Sequence, residues 1–558
     1  MKNNTQELLK YLLISFGILV FVLIITALFN KPVDVIEVKQ LVHYPARELR
    51  GVWMSRFDYS QNLGTTQKEV IQEYIRESFK TVKNANCNTV FFQVRGNGDV
   101  FFQSSYEPWS HLLTGTLGKD PDWDPLEYAV MAAHEVDLEL HAWVNTFPCW
   151  RGTSDPIETS PTQPYVAHPD WVICDSNGVQ MPKSDHYVSF SPGNPEARRH
   201  IKNVVLEICS KYDIDGIHFD YIRYPEGSTA NGYSHDAVSV SRFKSRKDNP
   251  LRLDWEDWQR EQITEFIAEA YNAITSIKPS VKVSVAVLGN YNAPGWNGYH
   301  EVYQDAARWA SIGKIDMIIP MTYASRTNGR FQSLIERWHI LQNIEQPIAA
   351  GLGVWAFPFK EILQEIDDAR ETGLAGVVLF AMSSLDSAQW DTLKNEKFQN
   401  PAIPPALPWK FKQAVPAPQN CSISQLEQKL VFNWQLKPLE EKGNFIRNFV
   451  IYSSATDSVD ITNGSSIYAL IPGSLEQYIT ELNDDNKNGN FYISALDAAN
   501  IESPLSKFPT DTLEITQLDE FFIQLHCSCY FSPVVHNCQR FRIIQKAMII
   551  GLSKRCNP

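Results

Sequence analysis

The stretch Asp213-Ile-Asp-Gly-Ile-His-Phe-Asp-Tyr-Ile-Arg-Tyr-Pro225 decides the fold, because it contains a short buried strand that ends in charged residues. Side chains alternate across a strand, so Phe219 and Tyr221 share one face while His218 and Asp220 share the other. If the apolar face packs on helices, His218 points into a closed sheet and Asp220 lies at its carboxyl end. This pattern is typical of one strand of a parallel barrel.

Outward from this strand, extended apolar runs alternate with amphipathic stretches. Eight runs are predicted to be strands, at 51–56, 89–95, 138–145, 216–221, 281–288, 317–323, 348–352 and 376–382. Helical periodicity lies between them, at 67–84, 125–136, 195–211, 255–277, 303–312, 331–343 and 360–372. Eight strand–helix alternations predict an α/β fold, a (β/α)8 barrel of the TIM type, over residues 45–400. An open doubly wound sheet is the alternative, but it usually has fewer strands and a glycine-rich phosphate turn.

Two connections, 146–192 and 225–254, are too long for plain loops between a strand and a helix. Both follow strands, at the face where barrel enzymes carry their active sites. Long insertions in a compact domain are usually functional, so we expect both to help build the site.

Beyond the barrel, a proline-rich segment at 401–418 predicts a stiff linker. Residues 419–512 alternate like the strands of a small all-β sandwich domain. We expect this domain to act as a spacer or binding module, separate from the active cleft. Residues 513–558 form a cysteine-rich tail that is predicted to be poorly ordered.

The N-terminal region, 1–30, contains an uncharged run at 11–29 that is long enough to nearly cross a bilayer. Lys2 and Lys10 precede the run, so the positive-inside rule predicts that the rest of the chain is exported. No typical cleavage site follows, which favours an uncleaved anchor over a removed signal peptide. We therefore expect the body at the periplasmic or extracellular face of the cytoplasmic membrane.

The formal net charge is −14, which argues against a nucleic-acid partner and mildly against an anionic polymer, although an acidic surface can still hold a local basic cleft. Fifteen tryptophans serve either core packing or stacking on sugar faces. Nine cysteines cannot all pair within one chain, and a disulfide between Cys149 and Cys174 is one option.

The same alternation test brings polar groups to one end of the barrel. It groups, on four further strands, Met54 with Arg56 and Asp58, Gln93 with Arg95, His141 with Trp143 and Asn145, and Met321 with Tyr323. Charged inward residues are unfavourable unless they are paired or used in function. A structural ion pair between Arg95 and Asp220 is the alternative for single residues, whereas the whole ring favours a functional site.

Further motifs occur in the order of a known family: Arg50-Gly-Val-Trp-Met-Ser, Phe92-Gln-Val-Arg-Gly-Asn-Gly-Asp, His141-Ala-Trp-Val-Asn, His168-Pro-Asp-Trp, Tyr303-Gln-Asp and Pro320-Met-Thr-Tyr. With 213–225, they resemble the glycosyl-hydrolase-like family 10 over about 48–393. The resemblance implies hydrolysis of a polysaccharide containing N-acetylhexosamine, first of all peptidoglycan, which one branch cuts at the division site where stem peptides are missing. The C-terminal region resembles fibronectin type III modules, through Phe432-Asn-Trp, Phe449-Val-Ile-Tyr and Tyr492-Ile-Ser-Ala-Leu-Asp.

Glycoside hydrolysis needs an acid for the leaving oxygen and a second group that acts as nucleophile, base or charge stabiliser. Asp220 is the best candidate for one role. The strand is also similar to the catalytic strand of family 18 chitinases, but the chitinase acid would fall at Ile222, which carries no proton. Tyr323 matches the tyrosine that faces the acetamido group there. The candidates for the second role are Asp58, Glu301 and Asp305.

The residues expected to bind substrate are Arg56, Arg95, Trp143, Asn145, His218, Arg223, Trp296 and Tyr323. No metal site and no cofactor are expected, and the expected partners are the polysaccharide, the membrane, and cell-wall or division proteins. A catalytically inactive barrel that binds glycan is the alternative function. A metal-dependent deacetylase is less favoured, because His141 and His218 lie on different strands and no His-x-x-x-His pair accompanies them.

Overall fold

The structure, a computed structural model, describes residues 44–341, 345–483, 486 and 489–509. Eight parallel strands form a closed barrel, in which each strand pairs with the next along the chain and the last pairs with the first. The strands are β1 Leu49–Met54, β2 Thr89–Arg95, β3 Glu139–Asn145, β4 Gly216–Asp220, β5 Lys282–Leu288, β6 Met317–Met321, β7 Ala350–Gly353 and β8 Gly376–Phe380. The predicted (β/α)8 barrel is confirmed.

The main helices around the barrel are Lys68–Asn84, Pro125–Glu135, Pro195–Lys211, Trp255–Ile277, Ala306–Ser311, Arg330–Ile340 and Phe359–Thr372. Shorter helices are His111–Thr114, Pro164–Ala167, Ser228–Asn231, Ala237–Lys244, Gly298–Glu301 and Ser387–Thr392. Local sequence determines where several helices begin. Asp124 and Asn194 each accept hydrogen bonds from backbone amides of the first helical turn, and a proline follows each of them.

The predicted membrane segment at 11–29 and the cysteine-rich tail at 513–558 lie outside the described residues. Within the part of the chain that is described, no helix has the length and apolar character needed to span a bilayer.

The barrel interior is filled by side chains from alternate strand positions, among which Trp53, Phe91 and Trp143 are buried. The two faces of β4 are as predicted, because Phe219 packs against the helices and His218 lies inside.

Strand β1 has the opposite orientation to the one predicted. Met54 packs outward against the helices, and Trp53 fills the interior. The alternation test failed here because Val52, Trp53 and Met54 are all apolar, so the sequence of β1 carries no contrast between its faces.

Two glycines make room for the interior rings. A side chain at Gly216 would meet the His141 ring at 2.4 Å, and a side chain at Gly351 would meet the Trp53 ring at 2.8 Å. Any larger residue at either position would therefore displace an aromatic ring from the tightly packed interior.

The C-terminal region is the predicted all-β sandwich. One sheet has three strands, Gln419–Leu426, Lys429–Gln435 and Gln477–Glu481, and the other has four, Ile446–Ser454, Ile467–Pro472, Asn490–Asp497 and Ser506–Lys507. Their inner faces share a core that includes Phe432, Trp434, Phe449 and Phe491.

The sandwich is docked on the amino-terminal end of the barrel, and the proline-rich segment packs into this junction instead of spanning a gap. Ile403 and Leu407 of that segment are buried. The Lys410 ammonium lies 2.7 Å from the buried Asp316 carboxylate, whose other oxygen accepts a hydrogen bond from the Trp409 indole at 2.7 Å. The expected linker is therefore part of the contact between the two β structures.

Arg447 of the sandwich is the central cation of the junction. Its guanidinium pairs with Asp215 and lies 3.4 Å from Glu139, two carboxylates at the bottom of the barrel. Glu139 also pairs with Lys282, and Asp215 accepts from His134 at 3.0 Å. Burial raises the pKa of both carboxyls, but these cations outweigh it and hold each pKa well below its usual range.

Cys149 and Cys174 do not form the disulfide that was considered. Both are buried free thiols. Cys149 donates to the Val188 carbonyl at 3.3 Å, and burial raises the pKa of its thiol well above the usual value.

We predict that Arg447→Met destabilises the protein by roughly 3–5 kcal/mol, because Asp215 and Glu139 then lose a buried cation. The matched control is Lys429→Met, which removes an exposed cation from the same sandwich and should change stability by less than about 0.5 kcal/mol. Urea unfolding of both variants measures the difference. Equal stability of the two variants would show that the junction contributes little.

Candidate active site

A cleft of about 430 Å³ opens at the carboxyl ends of the barrel strands. This is the end at which barrel enzymes carry their sites. We call it the cleft; it is lined by Trp53, Ser55, Arg56, Phe57, Gln93, Asn97, Trp143, Asn145, Arg151, His186, Tyr187, Asp220, Tyr221, Arg223, Ala286, Met321, Tyr323, Trp355 and Phe380. A second cavity of about 310 Å³ adjoins the cleft and shares Arg56, Phe57, Asn97 and Arg151 with it.

The bottom of the cleft rests on a hydrogen-bonded chain inside the barrel. The Trp53 indole donates to Nε2 of His218 at 3.0 Å, and Nδ1 of His218 lies 2.9 Å from the Ser284 hydroxyl. Burial lowers the pKa of His218 well below its usual value, and the nearby His141 acts in the same direction. His218 is therefore a neutral ring that supports Trp53 and does not line the cleft.

Asp220 ends β4 and is the only carboxylic acid that lines the cleft in the described part of the chain. It is 6% exposed, and its Oδ1 accepts from the Tyr221 amide at 2.6 Å. Burial raises the pKa of the Asp220 carboxyl above its usual range, although the nearby Arg223 guanidinium acts in the opposite direction. The carboxyl is thus set to carry a proton at a higher pH than a free aspartic acid.

Tyr221 was expected to face the helices, but it turns into the cleft. The strand ends at Asp220, and Tyr221 has a positive φ of 48°. Its ring packs at the edge of Tyr187 and under the Arg223 guanidinium, whose carbon lies 4.3 Å from the ring centre. Strict alternation stops being valid at the residue where the strand stops.

Hydrogen bonds fix the polar rim on β2 and β3. Oδ1 of Asn145 accepts from the Gln93 amide at 3.0 Å and from the Trp143 indole at 3.1 Å. Gln93 in turn accepts from the Arg56 backbone amide at 3.0 Å. Arg56, Trp143 and Asn145, which were predicted from the sequence, are therefore held together at the cleft.

The first long insertion contributes an antiparallel ribbon, Pro148–Gly152 with Ser184–Ser189, that carries Arg151, His186 and Tyr187 to the cleft. These residues were not singled out in the sequence, nor were Phe57, Asn97, Trp355 and Phe380. The insertion's length gave its location, but no periodicity indicated which of its side chains point inward.

Arg95 lies outside the cleft and pairs with Glu107 instead of Asp220. It is fully buried, with Nε and Nη2 at 2.8 Å and 2.7 Å from the two Glu107 oxygens. Its Nη1 donates to the Thr146 and Pro148 carbonyls at 3.1 Å and 3.2 Å. Arg95 therefore holds the loop that follows β3 and has no open face for a ligand.

Asp58 and Trp296 also lie away from the cleft. Oδ2 of the buried Asp58 accepts from the Ser55 amide at 2.7 Å, and Oδ1 accepts from the Ser383 hydroxyl. Asp58 thus braces the loop after β1. Trp296 is 43% exposed on the loop after β5.

The remaining two acids have structural partners. Asp305 caps the helix that begins at Ala306 and accepts from the Tyr291 hydroxyl at 2.7 Å. Glu301 accepts from the Thr229 hydroxyl at 2.7 Å. The candidates for a second catalytic carboxylate are therefore not brought beside Asp220. Among the described residues, no group of three His, Cys, Asp or Glu side chains could hold a metal ion.

Comparison with known proteins gives one family and several relatives. The model of the family described as Glycosyl hydrolase-like 10 matches residues 48–360. Glycosyl hydrolase YngK of Bacillus subtilis (strain 168) is 27% identical over 497 residues, which cover 83% of this chain and 93% of that protein. Glycosyl hydrolase DigH of Escherichia coli (strain K12) is 31% identical over 324 residues, 52% of this chain and 70% of that protein. The solved PgaB (BpsB) glycoside hydrolase domain from Bordetella bronchiseptica has a TM-score of 0.47 and 11% identity, and the match covers 62% of this chain and 98% of that one.

We predict that Glu107→Gln destabilises the protein by roughly 3–5 kcal/mol, because Arg95 is left buried without its carboxylate. Burial raises the pKa of Glu107, but Arg95 and His200 outweigh it and lower that pKa to about 2. The stability that Glu107 contributes is therefore complete above the ordinary range of a glutamic acid and is lost as the pH falls toward about 2.

Unfolding midpoints across this pH range would measure both effects. Glu196→Gln removes an exposed acid from the helix that carries His200 and serves as the control. Equal acid sensitivity of the wild type and Glu107→Gln would contradict the prediction.

Proposed function

Because the chain belongs to the glycosyl hydrolase-like 10 family, we propose that it hydrolyses glycosidic bonds in a polysaccharide containing N-acetylhexosamine, with peptidoglycan glycan strands as the first candidate. The observation that carries the proposal is Asp220, a buried carboxyl with a raised pKa in a cleft at the active end of the barrel. The rings of Trp143, Tyr323 and Trp355 provide apolar surface on which sugar faces can pack.

We propose Asp220 as the general acid that protonates the leaving oxygen. A carboxyl whose pKa is raised by burial holds its proton to a higher pH than a free aspartic acid, which suits this step. Among the described residues, no second carboxylate lines the cleft, so the opposite face of the sugar needs another group. In substrate-assisted glycosidases this group is the acetamido oxygen of the substrate itself. Tyr323 lines the cleft, and we propose it as the residue that faces such a group.

The adjoining cavity supports a polymeric substrate. It shares four lining residues with the cleft, so one chain of sugars can occupy both spaces. The absence of a second cleft carboxylate in the described chain also supports the alternative, a barrel that binds glycan without cutting it. The two functions predict opposite results for product formation.

We further propose that the body is exported and tethered through the N-terminal region, and that the sandwich is a module of the fibronectin type III kind. Its arrangement of three strands packed on four supports the second point. Cell-wall or division proteins remain the proposed protein partners.

We predict that the full-length chain in mild detergent releases soluble fragments from peptide-free glycan strands, detected by mass spectrometry of the products. Glu301→Gln should retain this activity, because Glu301 lies away from the cleft. Binding of the strands without any fragment release would favour the non-catalytic alternative.

We predict that Asp220→Asn lowers turnover by several orders of magnitude, in line with the loss of both proton transfer and preorganised electrostatics. Stability at neutral pH should be unchanged or higher, because the raised pKa means that folding disfavours the ionised carboxyl.

The pH profile identifies the role of Asp220. If it donates the proton, wild-type activity falls as the pH rises through the raised pKa. Loss of activity as the pH falls through that value would identify an ionised charge stabiliser instead and would overturn the assignment as acid.

A further inference from the structure

The cleft is positively charged in a protein that is acidic as a whole. Three guanidinium groups, those of Arg56, Arg151 and Arg223, line it beside the single carboxyl of Asp220. The whole chain has a formal net charge of −14. A local excess of cations in such a chain marks the place where an anion is drawn in.

Arg223 is the most informative of the three. It is only 6% exposed, and its Nε and Nη1 are buried without any hydrogen-bond partner. Within the described residues, no carboxylate forms an ion pair with it. Buried donors without partners are unfavourable, and at Arg223 they lie beside an open cleft, where a ligand can complete them.

Buried arginines elsewhere in the described chain are paired. Arg50 lies 2.6 Å from Glu48, Arg95 lies 2.7 Å from Glu107, and Arg198 lies 2.8 Å from Glu265. The fold therefore supplies a carboxylate to these guanidinium groups but not to Arg223 at the cleft.

We infer that Arg223 binds a carboxylate carried by a sugar of the ligand, with Arg56 and Arg151 adding to the attraction. Two adjacent N–H groups of a guanidinium match the two oxygens of a carboxylate, which gives a charge-assisted, oriented contact. The inference rests on the proposed function to the extent that the ligand is a glycan.

The reaction itself supports an anionic ligand. Glycoside cleavage develops positive charge at the anomeric carbon. Cations around that carbon would oppose the transition state by Coulomb repulsion. A carboxylate on the bound sugar neutralises this repulsion and lets the arginines contribute to binding and orientation.

The test uses monosaccharides, which contain no interglycosidic bond, so binding is measured independently of hydrolysis. The probes are N-acetylmuramic acid and glucuronic acid, each compared with its neutral primary amide, and N-acetylglucosamine 6-phosphate. Ligand titrations followed by NMR on the full-length chain give each Kd. We expect at least one acid to bind about tenfold tighter than its amide, and the difference to shrink at high salt.

Arg223→Gln should abolish the preference for the acid over its amide. Arg223→Lys, which keeps the charge but loses the planar fork, should retain only part of it. Arg199→Gln, which removes an exposed arginine outside the cleft, should leave it unchanged. Thermal midpoints confirm folding, and Arg56→Gln provides a second cleft variant if Arg223→Gln does not fold.

The pattern among the probes identifies the source of the carboxylate. Preference for N-acetylmuramic acid places it on a lactyl ether, and preference for glucuronic acid places it on C6. Equal affinity for acids and amides, a preference that survives Arg223→Gln, or tighter binding of the phosphate than of both acids would overturn the inference. Failure of hydrolysis with the acid preference intact would overturn the proposed function alone.

Discussion

A closed eight-stranded barrel has an interior that its own side chains must fill, and the rest of the structure depends on this constraint. Trp53, Phe91, Trp143 and His218 fill it as large rings, and glycines at 216 and 351 leave the space that rings require. A neutral His218 is the consequence of that burial. Polar groups that line the cleft therefore lie between these rings and the carboxyl ends of the strands.

The charged side chains at the two ends of the barrel differ in whether they are paired. At the amino-terminal end, Asp215, Glu139 and Asp316 are buried against Arg447, Lys282 and Lys410, and each carboxylate has a cation from the sandwich, the barrel or the segment between them. At the carboxyl end, the Arg223 guanidinium forms no ion pair among the described residues, and its Nε and Nη1 have no hydrogen-bond partner. Paired charges at the amino-terminal end hold two β structures together, whereas the unpaired donors of Arg223 border the cleft at the other end.

Much of the barrel could be predicted from the sequence, because its signal is local. The faces of β4, the position of Asp220, and the cleft positions of Trp143, Asn145 and Tyr323 follow from alternation and strand order. Arg56 and Arg223 reach the cleft from beyond the ends of their strands, where alternation no longer applies. The prediction failed for β1, where three apolar residues in succession hide the orientation, and for Tyr221, where the strand ends.

Ion-pair partners that are distant in the sequence could not be predicted from it. Nothing near Glu107 indicates that it, and not Asp220, pairs with Arg95. Likewise, Arg447 stands at the start of a sandwich strand with no local sign that it reaches Asp215. Proline content predicted stiffness in 401–418, but stiffness does not distinguish a free spacer from a segment packed against its neighbours.

The chain enters the described body beside the sandwich. Pro45 bridges to Asn463 just before β1 begins, at the pole of the barrel opposite the cleft. If the protein is held through the residues before Tyr44, the cleft therefore faces away from the point of attachment. The sandwich would stand next to the attachment, and the barrel would reach outward with its open end toward whatever lies beyond.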